Sequence, residues 1–172
     1  QSIGAFAENI KVEMSIQEIS DLIETKFGKK PNHGIKFVYD AMPEFTTIAK
    51  VLKPQDYPLY LDFYIENYSN CNRDVCDWLK EYFDKNAQNG CFCAMFCDGK
   101  IVSCTDSPGM PYMESEVQEI GINTLPHYRG KGYAKDSCIT VAKNIINNNK
   151  CPQWSTSINN IASQKLAYSV GF

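Results

Sequence analysis

The sequence predicts a mixed α/β (α+β) domain built on a mainly antiparallel sheet that is flanked by helices. Three observations lead to this fold class. An Asp98-Gly99 pair between two short apolar runs is the strongest local signal for a β-hairpin. A strand-like segment, 116–124, precedes a glycine-bearing turn and an amphipathic helical pattern. Helical and strand patterns are interspersed along all 172 residues, a length that suits one domain with a small N-terminal addition.

The composition narrows the classes of function. Hydrophobic residues make up 44% of the chain and charged residues 22%, so the chain can bury a core. The net charge is -3 and no run of Lys or Arg appears, which argues against a nucleic-acid partner. No apolar run approaches the roughly 18 residues of a membrane span. No signal-peptide pattern follows Gln1, and we expect a cytoplasmic protein.

The eight cysteines could form disulfides, bind zinc or remain free thiols. Disulfide scaffolds are usually short chains with few core residues, unlike this one. The sequence has no pair of C-x-x-C motifs, and His33 and His127 lie far from ligand-like spacing. We therefore expect no metal and interpret the cysteines as reduced, small apolar residues. Cys91, Cys93 and Cys97 share one parity on a predicted strand and could face the same way.

The sequence of the first half of the chain predicts three helices and two strands. Ser15 and Glu18 have the spacing of a capping box, so a helix is expected over 16–27. Asp56 is expected to cap the second helix. The remaining elements rest on apolar periodicity and on β-branched or aromatic content. They are strands at 35–39 and 47–52 and helices at 57–68 and 73–86, the last with Val75, Trp78, Leu79, Tyr82 and Phe83 as its apolar stripe.

The second half predicts the hairpin, an irregular loop at 107–115, the strand at 116–124 and a helix after residue 132. Apolar residues from Ala134 to Ile146 recur at helical spacing. Pro152 is expected to stop this helix. A short strand at 154–158 and a helix at 161–169 follow, and Gly171 stands where a helix-terminating glycine is common.

The turn before the long helix has the chemistry of a phosphate site. A helix N-terminus presents unpaired N–H groups and a partial positive charge. Gly130 and Gly132 allow the backbone close to a ligand, and Arg129 and Lys131 add charge. A Walker A loop is absent, and the dinucleotide fingerprint lacks its third glycine, since position 135 is Lys. A tight turn whose glycines serve geometry alone is the alternative.

Two motifs give this sequence a family resemblance. Residues 129–134, R-G-K-G-Y-A, match the pattern Q/R-x-x-G-x-G/A of the GNAT acetyltransferases, and the downstream N-x-x-S-x-x-L…G-F pattern is matched by Asn160, Ser163, Leu166, Gly171 and Phe172. The chain is similar to a bacterial subgroup of this superfamily, firmly over 91–172 and more loosely over 47–88. We therefore expect an acetyltransferase domain over 46–172. Residues 1–45 would be an N-terminal segment or the remnant of a subdomain.

The resemblance implies acetyl-CoA as co-substrate and assigns residues to it. Backbone amides over 129–134 would hold the pyrophosphate, which involves Arg129, Gly130, Lys131, Gly132, Tyr133 and Ala134. Backbone groups of Ile122 and Thr124 would pair with the pantetheine arm as an added strand would. The Asn160 side chain would contact the cofactor, with Ser163 nearby.

The resemblance also implies a reaction in which a general base deprotonates an amine that attacks the thioester directly. Glu119 is the candidate base, acting directly or through one water. Glu114 and Glu116 are weaker candidates at the edge of the loop. The family's usual acid is a tyrosine seven residues after the asparagine. That position is Ala167, and the doubtful candidate acid, Tyr168, lies one residue further, about 100° around the helix.

The expected function is therefore transfer of an acetyl group from acetyl-CoA to a primary amine. A catalytically weak acyl-CoA-binding module, used for sensing or interaction, is the alternative that Ala167 favours. An unrelated anion-binding α/β protein is the third. The acceptor and a homodimeric state are left open. Relatives continue beyond the G-F pair with a further strand, so we expect a longer natural C-terminus than Phe172.

Overall fold

A computed structural model of the chain describes residues 9–39, 41–68, 77–107, 113 and 115–172. Its contacts divide the chain into two units, Gln1–Gly34 and Ile35–Phe172. The domain boundary at residue 45 stays a prediction. Among the described residues, every helix is too short or too polar to cross a bilayer.

The described part of the first unit contains one helix, α1, Ile16–Phe27. The predicted capping box is confirmed, since the Ser15 side chain accepts from Glu18 N–H while the Glu18 carboxylate accepts from Ser15 N–H. This backbone hydrogen bond is the main cause of the lowered pKa of Glu18. Gly28 ends the helix in the left-handed region, with φ at 67°. The predicted bounds of α1 are therefore confirmed.

The second unit carries the remaining elements. Its helices are α2 (Tyr57–Asn67), α3 (Asp77–Gln88), α4 (Tyr133–Asn147) and α5 (Ile161–Val170). The strands are β1 (Gly34–Val38, whose first residue belongs to the first unit), β2 (Lys50–Val51), β3 (Cys93–Cys97), β4 (Lys100–Asp106), β5 (Val117–Glu119), β6 (Gly121–Thr124) and β7 (Cys151–Ser157). Short 3₁₀ turns occur at Pro54–Asp56 and Pro126–Tyr128. The predicted hairpin is confirmed at Asp98-Gly99, between β3 and β4.

The described strands form two sheets, ordered β2-β3-β4-β6 and β1-β7-β5. The first is antiparallel throughout, whereas β5 and β7 pair in parallel. The second sheet therefore makes the architecture mixed, as predicted. Since β7 lies between β1 and β5, both of its edges are paired.

The predicted strand at 116–124 is divided at Ile120. Its first part, β5, pairs with β7, and its second part, β6, pairs with β4. Ile120 still donates its N–H to Gln153 O, at 2.8 Å. The two halves thus belong to different sheets, and β6 is an edge strand of the first one.

Three local predictions are wrong in detail. Pro152 does not stop the long helix, because α4 ends at Asn147 and Pro152 lies in β7. Asp56 does not cap α2, because its carboxylate accepts from Lys53 N–H, at 2.8 Å, and so closes the preceding 3₁₀ turn. The strand predicted at 47–52 is reduced to β2, since Thr47 instead bonds the Asp136 carbonyl of α4, at 3.0 Å.

The apolar stripe predicted for the helix at 73–86 is only partly confirmed. Leu79 and Phe83 of α3 are fully buried, but Trp78 is 56% exposed. Val75 lies outside the described residues. The side of α3 that carries Leu79 and Phe83 therefore faces the core, and Trp78 lies at its margin.

Two clusters of buried side chains form the core of the second unit. One joins α2 and α3 to the first sheet around Tyr60, Phe83 and Phe92, and the other packs α4 and α5 around Trp154. The cysteines contribute to both, since Cys91, Cys93, Cys104 and Cys138 are buried and all six described cysteines are free. Burial raises the pKa of the Cys93 thiol to about 12. A register shift between Met95 and Phe96 breaks the parity expected for Cys97, which is half-buried.

Candidate functional site

The edge of β6 that faces away from β4 offers backbone groups for a ligand. Residues of an antiparallel ladder alternate between those bonded to the partner strand and those turned away. Leu125 N–H donates to Val102 O, at 2.9 Å, so this alternation turns the backbone groups of Ile122 and Thr124 outward. No described strand pairs with this edge. An extended ligand could therefore bind there as an added strand would.

The loop after β6 brings two glycines to the start of α4. Gly130 and Gly132 have φ at 74° and 86°, a region that other residues rarely adopt. A Cβ at either position would meet nothing within 4 Å. The glycines thus serve the backbone conformation and leave open space beside it, as close approach of a ligand requires.

The N-terminus of α4 lacks a side-chain cap. Gly132 is the N-cap residue, and it has no side chain that could accept from the first turn. The first backbone N–H groups of a helix have no partner within the helix, and they carry its partial positive charge. The start of this 15-residue helix therefore suits a phosphate.

The facing wall comes from α5. The Asn160 side chain accepts from Ser163 N–H, at 3.1 Å, and so caps this helix. The Ser163 hydroxyl accepts in turn from the buried Trp154 indole N–H, at 3.0 Å. Ser163 is therefore tied to the core through Trp154, and Asn160 is held in place by the helix cap.

These elements enclose one groove of about 700 Å³. Nine of the ten predicted cofactor-binding residues line it: Ile122, Thr124, Arg129, Gly130, Gly132, Tyr133, Ala134, Asn160 and Ser163. Lys131 is not among the lining residues, because its ammonium lies over the Tyr128 ring, 5.2 Å from the ring centroid. The structure therefore brings together residues that are up to 41 positions apart in sequence, from Ile122 to Ser163.

Arg129 lies across the end of β6. Its Nε donates to the Thr124 carbonyl, at 3.0 Å, while the guanidinium group stays exposed. This contact places a fixed positive charge between the strand edge and the N-terminus of α4. Lys135, one turn into the helix, adds a second charge to the lining and also lies over the Phe45 ring.

The candidate base, Glu119, lies on β5. Its carboxylate accepts from the Gln153 side-chain amide, at 2.5 Å, across the β5–β7 pair. Glu119 is half-buried and is not among the residues that line the groove. Glu116 is exposed at the start of β5, and Glu114 lies outside the described residues.

The candidate acid, Tyr168, also lies outside the groove lining. It is 61% exposed and packs edge-on against Phe37, with ring centroids 5.2 Å apart. Ala167, at the position where the family pattern has tyrosine, is fully buried. Leu166 and Ser169 are the neighbours that face the groove.

The predicted site did not include six of the lining residues. They are Asn123, Tyr128, Lys135, Ala162, Leu166 and Ser169. Ala162, Leu166 and Ser169 recur at spacings of four and three on α5, which is one helix face and could have been extended from Asn160. No sequence pattern indicated Asn123, because its position in the groove depends on how β6 pairs within the sheet. The described residues hold no cluster of three or more metal-binding side chains.

Comparisons with known proteins agree with this fold. A family model described as GNAT acetyltransferase matches residues 11–172. A GNAT-family acetyltransferase from Colwellia psychrerythraea superposes with a TM-score of 0.66 at 17% identity, over 82% of this chain and 52% of that one. A GNAT-family acetyltransferase from Novosphingobium aromaticivorans superposes with a TM-score of 0.58 at 17% identity, over 80% of this chain and 57% of that one.

A third structure is described with its cofactor acetyl-CoA. This acetyltransferase from Salmonella typhimurium gives a TM-score of 0.55 at 14% identity, over 74% of this chain and 80% of that one. Comparison with curated proteins gives no match. The chain spans little more than half the length of the first two structures. The likeness confirms the predicted fold, and because the family match extends over nearly the whole chain, the protein belongs to the GNAT acetyltransferase family, a family of acyltransferases.

Proposed function

We propose that this protein transfers an acetyl group from acetyl-CoA to a primary amine. The observation that carries the proposal is one groove in which the edge of β6 that no described strand pairs with meets the N-terminus of α4, which lacks a side-chain cap. Such a groove offers backbone pairing to an extended arm and amide donors to a phosphate. The groove therefore offers side by side the backbone pairing and the phosphate-binding amides that a CoA ester requires.

The residues present fit acetyl-CoA. Amides over 129–134 would hold its pyrophosphate, aided by the Arg129 guanidinium. Backbone groups of Ile122 and Thr124 would pair with the pantetheine arm, and Asn160 and Ser163 would bound it on the other side. When bound, acetyl-CoA supplies the activated thioester. The cytoplasm stays the proposed location, since free cysteines are typical of a reducing compartment.

The chain's own residues would move the protons. Glu119 would accept a proton from the amine, directly or through one water, because its carboxylate lies on the strand that continues into β6. Tyr168 would return a proton to the leaving thiolate. It is the weaker assignment, since its ring packs on Phe37 and lies outside the groove lining.

An acyl-CoA-binding module without efficient turnover is the second candidate. The buried Ala167 and the exposed Tyr168 favour it, because neither places a hydroxyl in the groove. The two candidates share the cofactor site and differ in turnover. Calorimetric titration with acetyl-CoA therefore comes first, followed by chromatographic measurement of CoA release with a panel of amines. A thiol reagent would be confounded by the eight cysteines.

Replacing Glu119 by glutamine is expected to lower turnover by about 10²–10⁴-fold, as loss of a general base does. The glutamine oxygen can still accept from Gln153, so acetyl-CoA affinity should hold within about twofold. Glu24→Gln, in the first unit, is the control for the charge change. Unchanged turnover in Glu119→Gln would show that Glu119 is not the general base. If the wild type binds acetyl-CoA but shows no turnover, the acyl-CoA-binding module is the function that remains.

Asn160→Asp separates the two roles of this side chain. Aspartate is as good an N-cap as asparagine, so the melting temperature should stay within about 2 °C. The added charge would lie in the same groove as the bound phosphates and should weaken acetyl-CoA binding by about tenfold. Asn159→Asp, one exposed residue earlier and outside the groove lining, is the matched control. Equal loss of affinity in both variants would show a remote charge effect and exclude a contact by Asn160.

A further inference from the structure

A carboxylate lies at the end of β4, beside the groove. Asp106 is the last residue of this strand and is paired in register with Gly121, the first residue of β6. A Cβ at position 121 would collide with the Asp106 side chain. The φ of Gly121 is not in the positive region, so the backbone conformation does not require glycine there. The missing side chain instead leaves room for the Asp106 carboxylate.

Tyr64 of α2, Tyr68 just after it and Tyr82 of α3 lie near enough to this carboxylate for its charge to act on them. Burial raises the pKa of Tyr64, Tyr68 and Tyr82, and the nearby charge of Asp106 raises it further. The Tyr64 and Tyr68 rings pack 4.5 Å apart. The Tyr68 hydroxyl accepts from the Asn123 amide, at 3.0 Å, and Asn123 lines the groove. Tyr68 therefore adjoins the groove through Asn123, and Tyr64 packs beside it.

Among the described residues, no cation compensates Asp106. Burial raises the pKa of its carboxyl, and only a hydrogen bond from its own backbone N–H lowers it. The titratable groups close enough for its charge to act on them are Tyr60, Tyr64, Tyr68, Tyr82 and Cys104, none of which carries a positive charge. A half-buried carboxylate beside aromatic rings is a favourable site for a cation that comes from outside the chain.

The position of this site follows from the proposed function, on which the inference rests. An arm bound from the α4 N-terminus back along β6 would pass Thr124 and then Ile122, and its far end would lie beside Gly121. The thioester would therefore reach the strand position next to Asp106. We propose that Asp106, with Tyr64, Tyr68 and Tyr82, binds the ammonium group of an acceptor amine carried on an apolar or aromatic stem.

This arrangement selects by charge. The carboxylate attracts an ammonium group, the ring faces favour both the cation and its stem, and an anionic acceptor would be repelled. Asp106 is thus an acceptor-binding residue, separate from Glu119, which remains the candidate base.

The test uses the full chain and equilibrium binding, so it does not depend on turnover. Phenethylamine and isoamylamine are the probes, phenethyl alcohol is the uncharged partner, and saturation-transfer NMR reports binding. We expect the amines to bind and the alcohol to bind at least about tenfold more weakly. Asp106→Asn should lose about tenfold or more in amine affinity while its acetyl-CoA affinity is unchanged. Asp98→Asn, in the hairpin turn, controls for net charge.

Stability distinguishes recognition from a structural role. Because the pKa of Asp106 is raised in the folded state, its ionised form costs stability above that pKa, so Asp106→Asn should melt no lower than the wild type at neutral pH. Gly121→Ala, which keeps the carboxylate but displaces it, should also weaken amine binding. Equal amine binding by wild type and Asp106→Asn, no amine binding, or a lower melting temperature would overturn the proposal. Failure of acetyl-CoA binding alone would instead refute the proposed function.

Discussion

Replacing Gly130 and Gly132 together by glutamate is expected to abolish acetyl-CoA binding, with a loss of at least about 100-fold. Both residues have positive φ, and open space lies where a side chain would project beside the groove. Two carboxylates there would repel the pyrophosphate and block the backbone amides that hold it. Calorimetric titration measures the loss directly.

Backbone strain must be separated from this effect. A residue other than glycine in the left-handed region costs roughly 1 kcal/mol. Gly99→Glu supplies a matched control, because Gly99 has φ at 78°, open space around it and a place in the β3–β4 turn. Gly99→Glu should lower the melting temperature by a similar amount per substituted residue, and it should bind acetyl-CoA with wild-type affinity. The double alanine variant, strained but uncharged, should retain part of the affinity. Binding by the glutamate variant within threefold of the wild type would move the phosphate site elsewhere.

The residues predicted for cofactor binding come together in one groove because most of them are close in sequence. Gly130, Gly132 and the start of α4 are consecutive, and their chemistry follows from helix ends and glycine conformations. Asn160 and Ser163 are likewise joined by one helix cap. Sequence patterns express such short-range relations directly, so nine of the ten predicted residues line the groove.

The pairing of Asp106 with Gly121 was not predictable from the sequence, because it depends on which strands pair. Asp106 and Gly121 are 15 positions apart and meet only through the β4–β6 register. The break at Ile120, which separates β5 from β6, likewise reflects pairing with two different strands. An alternating pattern across 116–124 is the same whether or not the strand divides. The prediction that Pro152 ends the long helix was wrong for a similar reason, because the local sequence does not distinguish a proline within a strand from one that ends a helix.

Phe92→Ala is expected to lower the free energy of unfolding by about 3–5 kcal/mol. The Phe92 side chain is fully buried and its ring centroid lies 4.7 Å from those of Tyr60 and Phe83 and 5.9 Å from that of Tyr82. Truncation removes these contacts and leaves a cavity between α2, α3 and the first sheet. Denaturant titration measures the change, which is a large part of the roughly 5–15 kcal/mol typical of a domain.

The same variant shows how far the two clusters of the core are independent. Phe27→Ala is the matched control, because Phe27, at the end of α1, is 45% exposed and its loss should cost below about 1 kcal/mol. The buried apolar side chains of α4 and α5, which form much of the groove, belong to the Trp154 cluster. Phe92 belongs to the other cluster, which Tyr128 of the groove lining also contacts. Folded Phe92→Ala should therefore bind acetyl-CoA with near wild-type affinity but lose amine affinity, since Tyr82 packs on Phe92 beside the acceptor tyrosines. Loss of acetyl-CoA binding in the folded variant would show that the clusters act as one unit.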